Sequence, residues 1–497
     1  MLYFNQKVYF VFVTIIIFAA SIIIYQMSLI QFDNKLHNLG EEVPVILWWT
    51  PFGNDGILRK CGDYSCYFTS NRTFQYHPKI SSFLFYGSNF QINNLPKWKS
   101  DRVPWGLIHE ESPRNNPILV QQETLNLFTY SSTFSRFSDV PLTLIYLPGI
   151  TELLGTYNVL KLLLRNSTFL HYIFSIWIPY EDTIKIINWL RNNKYFWSTN
   201  LFIFYYLEIN ISDKKYFIPT KKKTELMHTK NLAPLLYIQS DCDTASNRDV
   251  YVAELMKYIR VDSYGTCLNN AQFDKRLKDN YLDILNSDDF LSFISNYKFT
   301  LAFENAVCQD YITEKLWRPL IVGSVPVYYG SPTFKDWLPN NMSAISILDF
   351  KDPESLANFL HDLSTNETEY DKYLSHKLFD NYEIDNQRLK KALESNREWI
   401  GNEFGNYVDK FECFVCENIQ IANEQRKKKI IDTSHYDCPL PRNPITSRTD
   451  YHNWWTKQWI LEKFGAKLLT YHLKNNLTIS VEKFEKDKME LYRQNQD

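Results

Sequence analysis

The chain is 497 residues long, which is enough for two or three domains. Hydrophobic residues make up 45% of it and charged residues 22%, so most of the chain is expected to fold around a hydrophobic core. The formal net charge of −2 at pH 7 argues against a nucleic-acid-binding protein whose affinity depends on a basic surface.

An uncharged apolar segment at residues 8–30 lies near the N-terminus. Its length suits an uncleaved membrane-spanning helix, whereas the apolar region of a cleaved signal peptide is normally only about 7–15 residues long. We therefore predict a single-pass type II anchor. Residues 1–7 would form a cytoplasmic tail, residues 31–43 a stem, and the rest of the chain a lumenal body.

Two further features are compatible with a lumenal body. Acceptor sequons for N-glycosylation occur at Asn71, Asn166, Asn210, Asn341, Asn366 and Asn476. The even number of cysteines favours disulfides in an oxidising compartment; they are Cys61, Cys66, Cys242, Cys267, Cys308, Cys413, Cys416 and Cys438. A zinc site built from the Cys61-x4-Cys66 and Cys413-x2-Cys416 pairs is the alternative.

The first half of the chain after the stem has an α/β pattern. The segment VPVILWWTPF (43–52) predicts the first core strand. Further candidates are the strand-like LTLIYL (142–147) and LFIFYYLEI (201–209) and the helix-like YNVLKLLLR (157–165). The basic and polar run at 221–231 is the best candidate for a linker, so we expect a first domain over residues 44–232.

A second α/β unit begins at PLLYIQS (234–240) and is expected to form a domain over residues 233–402. Residues 403–497 would be a cysteine-containing extension that is helical or partly loose. Two successive α/β units suggest two doubly wound domains with a ligand between them.

The segment FTLAFENAVCQDYITEKLWRPLIVGSVPVYYGSP (299–332) predicts a strand at Phe299–Glu304, a helix that begins at Glu314-Lys315, and a strand at Val325–Gly330. The N-terminus of such a helix presents N–H groups and a positive dipole end to an anion. A lysine there adds a point charge suited to phosphate. The segment therefore predicts a nucleotide or diphosphate site.

Other candidate residues lie outside this segment. In HEESP (109–113), Pro113 keeps Ser112 out of a helix, so Glu110 and Glu111 are expected at a strand end or loop, where a carboxylate can act as a general base. Arg248 is expected to begin a helix that extends to about Ile259, and an arginine there could bind a diphosphate.

The pair Asp241-Cys242-Asp243 could hold Mg²⁺ or Mn²⁺ together with substrate phosphates. So short a motif more commonly serves a loop or caps a helix. Lys315 and Arg248 could also neutralise a phosphate without a metal, so no metal is expected.

Segments 299–332, HEESP and NRDVYVAEL with VDSYG together resemble the signature of the α-(1,3)-fucosyltransferase family, glycosyltransferase family ten, and they occur in the family's order. ENAVCQDYITEKLWRP, HEESPRNN and FECFVC (411–416) are most similar to one branch of it. That branch was long named as α-(1,3)-fucosyltransferases ten and eleven and is described as protein O-fucosyltransferases acting on disulfide-rich EMI domains.

The resemblance implies a GT-B fold of two facing Rossmann-like domains and an inverting transfer from GDP-fucose with no obligatory metal. By motif, Glu111 would be the general base. The donor would be bound by a set of residues in the C-terminal domain: Arg248, Tyr264, Asn305, Tyr311, Glu314 and Lys315. Where the family often has an aromatic residue before LAFEN, this chain has Thr300, so stacking at that position is in doubt.

The resemblance also implies disulfides. Cys61 and Cys66 would bond Cys413 and Cys416 in an order that stays open. Cys242 would bond Cys267, and the remaining Cys308 and Cys438 could pair.

The motifs leave the acceptor open. The branch favours Ser or Thr hydroxyls of a small disulfide-rich domain, and the alternative is GlcNAc of an N-glycan. A catalytically inactive membrane interaction protein and an enzyme that uses another nucleotide sugar are the competing hypotheses. Either the endoplasmic reticulum or the Golgi membrane is compatible with the sequence, and no nucleic-acid partner is expected.

Overall fold

A computed structural model describes residues 43–147 (without 54 and 97–102), 149, 153–154, 216–378 (without 275–276, 278–284 and 286), 384–395, 405–421 and 431–495. The predicted anchor at 8–30, its tail, nearly all of the stem, and the segments 157–165 and 201–209 lie outside these residues. Within the part of the chain that is described, no helix combines the length and apolar character needed to cross a bilayer.

The first sheet has six strands, and all neighbours are parallel except the β2–β3 pair. The strands are β1 (Val45–Trp48), β2 (Ile57–Cys61), β3 (Tyr64–Thr69), β4 (Ile80–Tyr86), β5 (Trp105–His109) and β6 (Tyr130–Thr133). They lie in the order β2-β3-β1-β4-β5-β6. Because the parallel strands share one direction, the loops after β4, β5 and β6 meet at one edge of the sheet.

The second sheet has five parallel strands in the order β11-β10-β9-β7-β8. The strands are β7 (Leu235–Ile238), β8 (Val261–Tyr264), β9 (Phe299–Phe303), β10 (Val325–Tyr329) and β11 (Ile345–Ser346). All residues of β9 and β10 are buried, which is typical of a parallel strand covered by helices on both faces.

Twelve α-helices are described. They are α1 (Gln122–Leu125), α2 (Thr220–Thr229), α3 (Arg248–Leu255), α4 (Asp288–Ile294), α5 (Glu314–Val322), α6 (Pro353–Thr365), α7 (Glu367–Tyr373), α8 (Ser375–Leu378), α9 (Gln387–Ser395), α10 (Gly405–Gln420), α11 (Trp454–Lys474) and α12 (Val481–Gln494). Helices α3 and α6 pack with one face of the second sheet, while α4 and α5 pack with the other.

The last three helices return to the first sheet. Phe411 and Val415 of α10 pack on the face that contains Ile46 and Trp48, whereas α11 and α12 contribute to the core on the opposite face. Successive strand residues point to opposite faces, which is why neighbours in β1 join different cores. The segment 403–497, expected to be an extension, thus supplies layers of the first α/β unit.

Four disulfides are present in the described residues. Two join α10 to the first sheet, as the pairs Cys61–Cys413 and Cys66–Cys416, which resolves the order that the sequence left open. The other two pairs are Cys242–Cys267 and Cys308–Cys438. A structural role for all eight cysteines replaces the zinc alternative.

The α/β class with two successive sheets is confirmed, but two local predictions are wrong. LTLIYL (142–147) forms turns and not a strand. The segment is apolar because Leu144 and Leu147 pack against α5 of the second unit. The predicted linker at 221–231 mostly forms α2, in which Lys223 is buried and donates to the carbonyl oxygens of Tyr297 and Gly323.

Candidate functional site: a cleft between two sheet edges

A cavity of about 230 Å³ lies at the C-terminal edge of the second sheet. Its lining combines residues after β7 with the start of α3, the end of β9 and the start of α5: Ile238, Gln239, Ser240, Asp241, Arg248, Leu285, Phe290, Ile294, Thr300, Leu301, Asn305, Glu314, Lys315, Arg318 and Pro319. Ligands of open α/β sheets bind at this edge, and we call this the donor cavity.

Lys315 occupies the first turn of α5, whose N-cap is Thr313. Its Nζ lies 2.9 Å from Glu314 Oε1 and 3.9 Å from Glu304 Oε2. Burial opposes ionisation of Glu314, but the charges of Lys315 and Arg318 outweigh it and hold the pKa of Glu314 to about 2. The helix therefore begins with an ionised carboxylate and an ammonium group side by side at the cavity wall.

Arg248 is almost fully buried at the start of α3. Its Nη1 donates to the Phe303 carbonyl oxygen at 3.0 Å and its Nη2 to the Asp241 carbonyl oxygen at 2.7 Å. In the described part of the chain, Arg248 Nε and Asn305 Oδ1 are buried without a hydrogen-bond partner. Because an unpaired buried polar atom is costly, these two atoms in the cavity wall indicate a place for a polar ligand.

Glu304 is a residue whose importance the sequence analysis missed. It follows β9 and is fully buried, and its carboxylate accepts hydrogen bonds from Thr313 N at 2.8 Å and Thr313 Oγ1 at 2.7 Å. Burial raises its pKa to about 7 despite the opposing charge of Lys315. A Cβ on Gly330 would lie 2.5 Å from Glu304 Cγ, so the glycine makes room for this side chain. A carboxylate at the end of an otherwise apolar strand was the available signal.

The facing edge carries the two adjacent carboxylates after β5, as the sequence predicts. Glu110 is buried and accepts a hydrogen bond from Tyr86 Oη at 2.8 Å. Burial raises the pKa of Glu110 to about 7. Glu111 is partly exposed. The two neighbours thus occupy different environments, which is how a fold gives adjacent carboxylates different roles.

Glu111 is the carboxylate of this pair that faces the second unit. Burial raises the pKa of Tyr311 well above its usual value, and the nearby negative charges of Glu111 and Glu304 raise it further. Tyr146 shows the same effect, with burial as the main cause and Glu111 and Glu314 as the next. Both tyrosines therefore lie near Glu111 and near the carboxylates at the end of β9 and the start of α5.

Comparison with known proteins agrees with this geometry. A family model described as "Glycosyltransferase family 10 (fucosyltransferase) C-term" matches residues 227–434, and one described as "Fucosyltransferase, N-terminal" matches residues 41–144. "GDP-fucose protein O-fucosyltransferase 3" of Canis lupus familiaris is 38% identical over 458 residues, covering 89% of this chain and 82% of the relative. The Rattus norvegicus protein of the same name is 39% identical over 459 residues, covering 89% and 81%.

The chain belongs to glycosyltransferase family 10. A crystal structure of an α1,3-fucosyltransferase with GDP-fucose is also similar, with 15% identity, a TM-score of 0.37, and coverage of 72% of this chain and 90% of the other.

The donor cavity of this family 10 fucosyltransferase contains four of the six residues predicted to bind the donor. Among the described residues that line it, neither Tyr264 nor Tyr311 occurs. Tyr264 Oη lies 3.1 Å from Tyr297 Oη and its ring packs with Phe273 and Phe293, so it supports the cavity from the core. Tyr311 is buried beside Phe134, with ring centroids 5.0 Å apart.

The loop after Tyr264 depends on a glycine. Gly265 has φ +89°, and a Cβ there would lie 2.2 Å from the Gln239 carbonyl oxygen. Only glycine permits both the conformation and the close approach. This contact brings the β8 end against the cavity-lining residues after β7.

The Asp241-Cys242-Asp243 pair has other partners in the fucosyltransferase. Asp241 forms an ion pair with Arg114, which follows the HEES loop of the facing edge. Cys242 is disulfide-bonded, and the Asp243 carbonyl oxygen accepts a hydrogen bond from Arg114 Nη1 at 3.3 Å. The pair therefore joins the two edges of the cleft. No cluster of three or more potential metal ligands occurs among the residues described.

A second contact between the two α/β units was not predicted. Arg136, after β6, donates from Nε to Asp310 Oδ2 at 2.7 Å and from Nη2 to Asp310 Oδ1 at 2.5 Å. Asp310 is fully buried and also accepts from Trp337 Nε1 and Thr333 Oγ1. Burial alone would raise the pKa of Asp310, but these bonds, led by that of Arg136, lower it. This ion pair, whose carboxylate is fully buried, joins the two units.

Thr300 replaces the aromatic residue that the family often has, and it lies in the cavity wall with its Oγ1 2.8 Å from Ser324 Oγ.

Four of the six predicted N-glycosylation sequons lie in the described part of the chain. Asn71, Asn341, Asn366 and Asn476 are exposed, although Asn71 and Asn366 cap helices with their side chains. The remaining two, Asn166 and Asn210, lie outside the described residues.

Proposed function

We propose that this protein is a GDP-fucose-dependent, inverting protein O-fucosyltransferase, and that its two α/β units are the lobes of a GT-B fold. The observation that carries the proposal is the donor cavity. It contains a buried arginine, a lysine at a helix N-terminus and, in the described part of the chain, two unpartnered polar atoms. Arg114, three residues after Glu111, forms an ion pair with Asp241 in the cavity wall.

The donor half of the site is suited to a nucleoside diphosphate leaving group. Lys315 and the N–H groups of the first turn of α5 would face the diphosphate, as would Arg248, whose Nε is unpartnered in the described structure. Negative charge grows on the β-phosphate as the bond to fucose breaks, so preorganised cations stabilise the transition state. Glu314, held ionised by its two cationic neighbours, can accept hydrogen bonds from hydroxyl groups of the donor.

The acceptor half supplies the base. Glu111 would remove the proton from the acceptor hydroxyl while its oxygen forms a bond to the anomeric carbon of fucose. The carbon–oxygen bond to GDP breaks in the same step, and its electron pair leaves with GDP. The configuration at the anomeric carbon is inverted, and the proton remains on Glu111. The residues named here require no metal for this step.

The acceptor class is proposed from the relatives. Proteins 38% and 39% identical to this chain are named GDP-fucose protein O-fucosyltransferase 3, which points to a protein acceptor. The HEESPRNN and FECFVC segments resemble the branch described as acting on EMI domains, so we propose Ser or Thr of a small disulfide-rich domain of that type.

We also propose a secretory-pathway location with residues 8–30 as a type II anchor and the catalytic body in the lumen of the endoplasmic reticulum or Golgi. Four disulfides in the body support an oxidising compartment. Expression with a reporter at each end, followed by protease protection, tests the topology. Protection of the C-terminal reporter is expected, and its digestion in sealed vesicles would overturn the arrangement.

The acceptor is tested by incubating the purified protein with GDP-fucose and either a folded EMI domain or a GlcNAc-terminated glycopeptide. We expect GDP release that depends on the EMI domain and a gain of one fucose on a Ser or Thr. Glu111→Gln serves as the inactive control. Transfer only to the glycopeptide would refute the protein-acceptor proposal. Tighter binding of UDP than of GDP would refute the proposal that GDP-fucose is the donor.

A further inference from the structure

A C-terminal segment contacts the loop that contains the proposed base. Between Ile431 and Cys438 the chain contacts both α/β units. On the first unit, Thr133 Oγ1 donates to the His435 carbonyl oxygen at 2.7 Å. On the second unit, Gln309 N donates to the Asp437 carbonyl oxygen at 2.8 Å, and Cys438 is bonded to Cys308. We call residues 431–438 the bridging segment.

Tyr436 is the residue of the bridging segment that reaches residues 110–112, which we call the base loop because they contain Glu111. It is 1% exposed, and its ring stacks on His109 with centroids 5.7 Å apart and an interplanar angle of 17°. Its Oη is hydrogen-bonded to His109 Nδ1 and lies 3.3 Å from the carbonyl oxygen of Glu111, to which it can donate. The contact is to the backbone of the residue proposed as base.

The direction of these bonds follows from the state of His109. This histidine is fully buried, and burial lowers its pKa to about 3, so the ring is neutral and has one N–H. If that hydrogen is on Nδ1, His109 donates to Tyr436 Oη and the tyrosine hydroxyl is free to donate to Glu111. Ser88 Oγ, 3.1 Å from His109 Nε2, then donates to the other ring nitrogen. This tautomer satisfies all three contacts at once.

We propose that Tyr436 is a positioning residue that fixes the base loop by donating to the Glu111 backbone carbonyl, with His109 and Ser88 setting the direction of the bond. The same segment is fastened by Cys308–Cys438 to the loop that follows Asn305 in the donor cavity. The bridging segment thus ties the carboxylate that takes the acceptor proton to the loop that borders the donor. This inference rests on the proposed function, because it assigns a role to the proposed base.

The test is Tyr436→Phe, which removes the hydroxyl and keeps the ring. We expect kcat for fucosyl transfer, counted per GDP-binding site, to fall roughly tenfold because the base loop loses its fixed position. GDP affinity and the KM for GDP-fucose should be unchanged. Tyr370→Phe is the matched control, since Tyr370 is also fully buried and donates to a backbone carbonyl, that of Lys298, away from the cleft.

A lower kcat in Tyr436→Phe but not in Tyr370→Phe supports the inference, and an equal kcat per binding site in both variants and the wild type overturns it. Ser88→Ala is the second variant if Tyr436→Phe does not fold. It removes the donor to His109 Nε2, and a smaller fall in kcat with unchanged GDP affinity is expected, whereas an unchanged kcat overturns the inference. Absence of any transfer by the wild type would instead refute the proposed function.

Discussion

Replacing Glu110 with glutamine distinguishes the role of Glu110 from that of Glu111 in the base loop. Glu110 is buried, and its pKa is raised from 4.5 to about 7. The difference of about 2.5 pKa units corresponds to about 3.5 kcal/mol at about 1.4 kcal/mol per unit. Glutamine resembles the protonated carboxyl and can still accept the hydrogen bond from Tyr86 Oη, so the substitution removes mainly the ionisation.

The direction in which Glu110 changes stability with pH follows from proton binding in the folded and unfolded states. Between pH 4.5 and about 7 the folded protein keeps the Glu110 proton while the unfolded chain has lost it, so this group lowers stability as pH rises. The free energy of unfolding of Glu110→Gln minus that of the wild type should therefore increase by about 3 kcal/mol between pH 4.5 and pH 8. Guanidinium unfolding at both pH values measures it, and a difference independent of pH would refute the reasoning.

Activity distinguishes the two residues further. Glu110→Gln should retain transfer at neutral pH, whereas Glu111→Gln should lose roughly 10²- to 10⁴-fold in kcat because it removes the proposed base. Both variants replace a carboxyl group with an amide at adjacent positions, so each controls for the other. An inactive Glu110→Gln beside an active Glu111→Gln would move the base to Glu110.

Three further changes test the donor site, the contact between the two α/β units and one disulfide. Lys315→Met should weaken GDP binding, measured by calorimetry, and lower kcat roughly 10²-fold because the leaving group loses a preorganised cation; unchanged affinity would remove Lys315 from the donor site. Arg136→Lys should lower the free energy of unfolding by about 1–3 kcal/mol, since lysine cannot make the forked contact with buried Asp310; chemical denaturation decides, and wild-type stability would contradict it. The double substitution Cys242→Ala and Cys267→Ala opens a loop with a sequence separation of 25 and should cost about 3 kcal/mol by the same assay. A loss well below 1 kcal/mol would show that the loop is held by other contacts.

The elements that form the donor cavity could be predicted from local sequence. Strands β9 and β10 are continuous apolar runs, and α5 begins at the predicted Glu314 after the N-cap Thr313. In these three elements the local sequence pattern favours the same secondary structure as the packing in the core. The same holds for the carboxylates after β5, because Pro113 keeps Ser112 out of the helical conformation.

Other features depend on partners far away in the chain and could not be predicted. LTLIYL has the composition of a strand, but it forms turns, and two of its leucines pack against α5. The basic run at 221–231 looks solvated, yet Lys223 is buried because two carbonyl oxygens receive its ammonium group. Tyr436 lies 325 residues from Glu111 along the chain, and nothing in its local sequence indicates that contact.

The most direct test of the central claim is a crystal structure of the protein with GDP and an acceptor domain. We expect the diphosphate within hydrogen-bond reach of Arg248 and Lys315 in the donor cavity. We also expect the acceptor Ser or Thr hydroxyl about 2.6–3.2 Å from the Glu111 carboxylate, the range of a proton transfer to a general base. A nucleotide bound elsewhere, or an acceptor hydroxyl out of reach of Glu111, would contradict it.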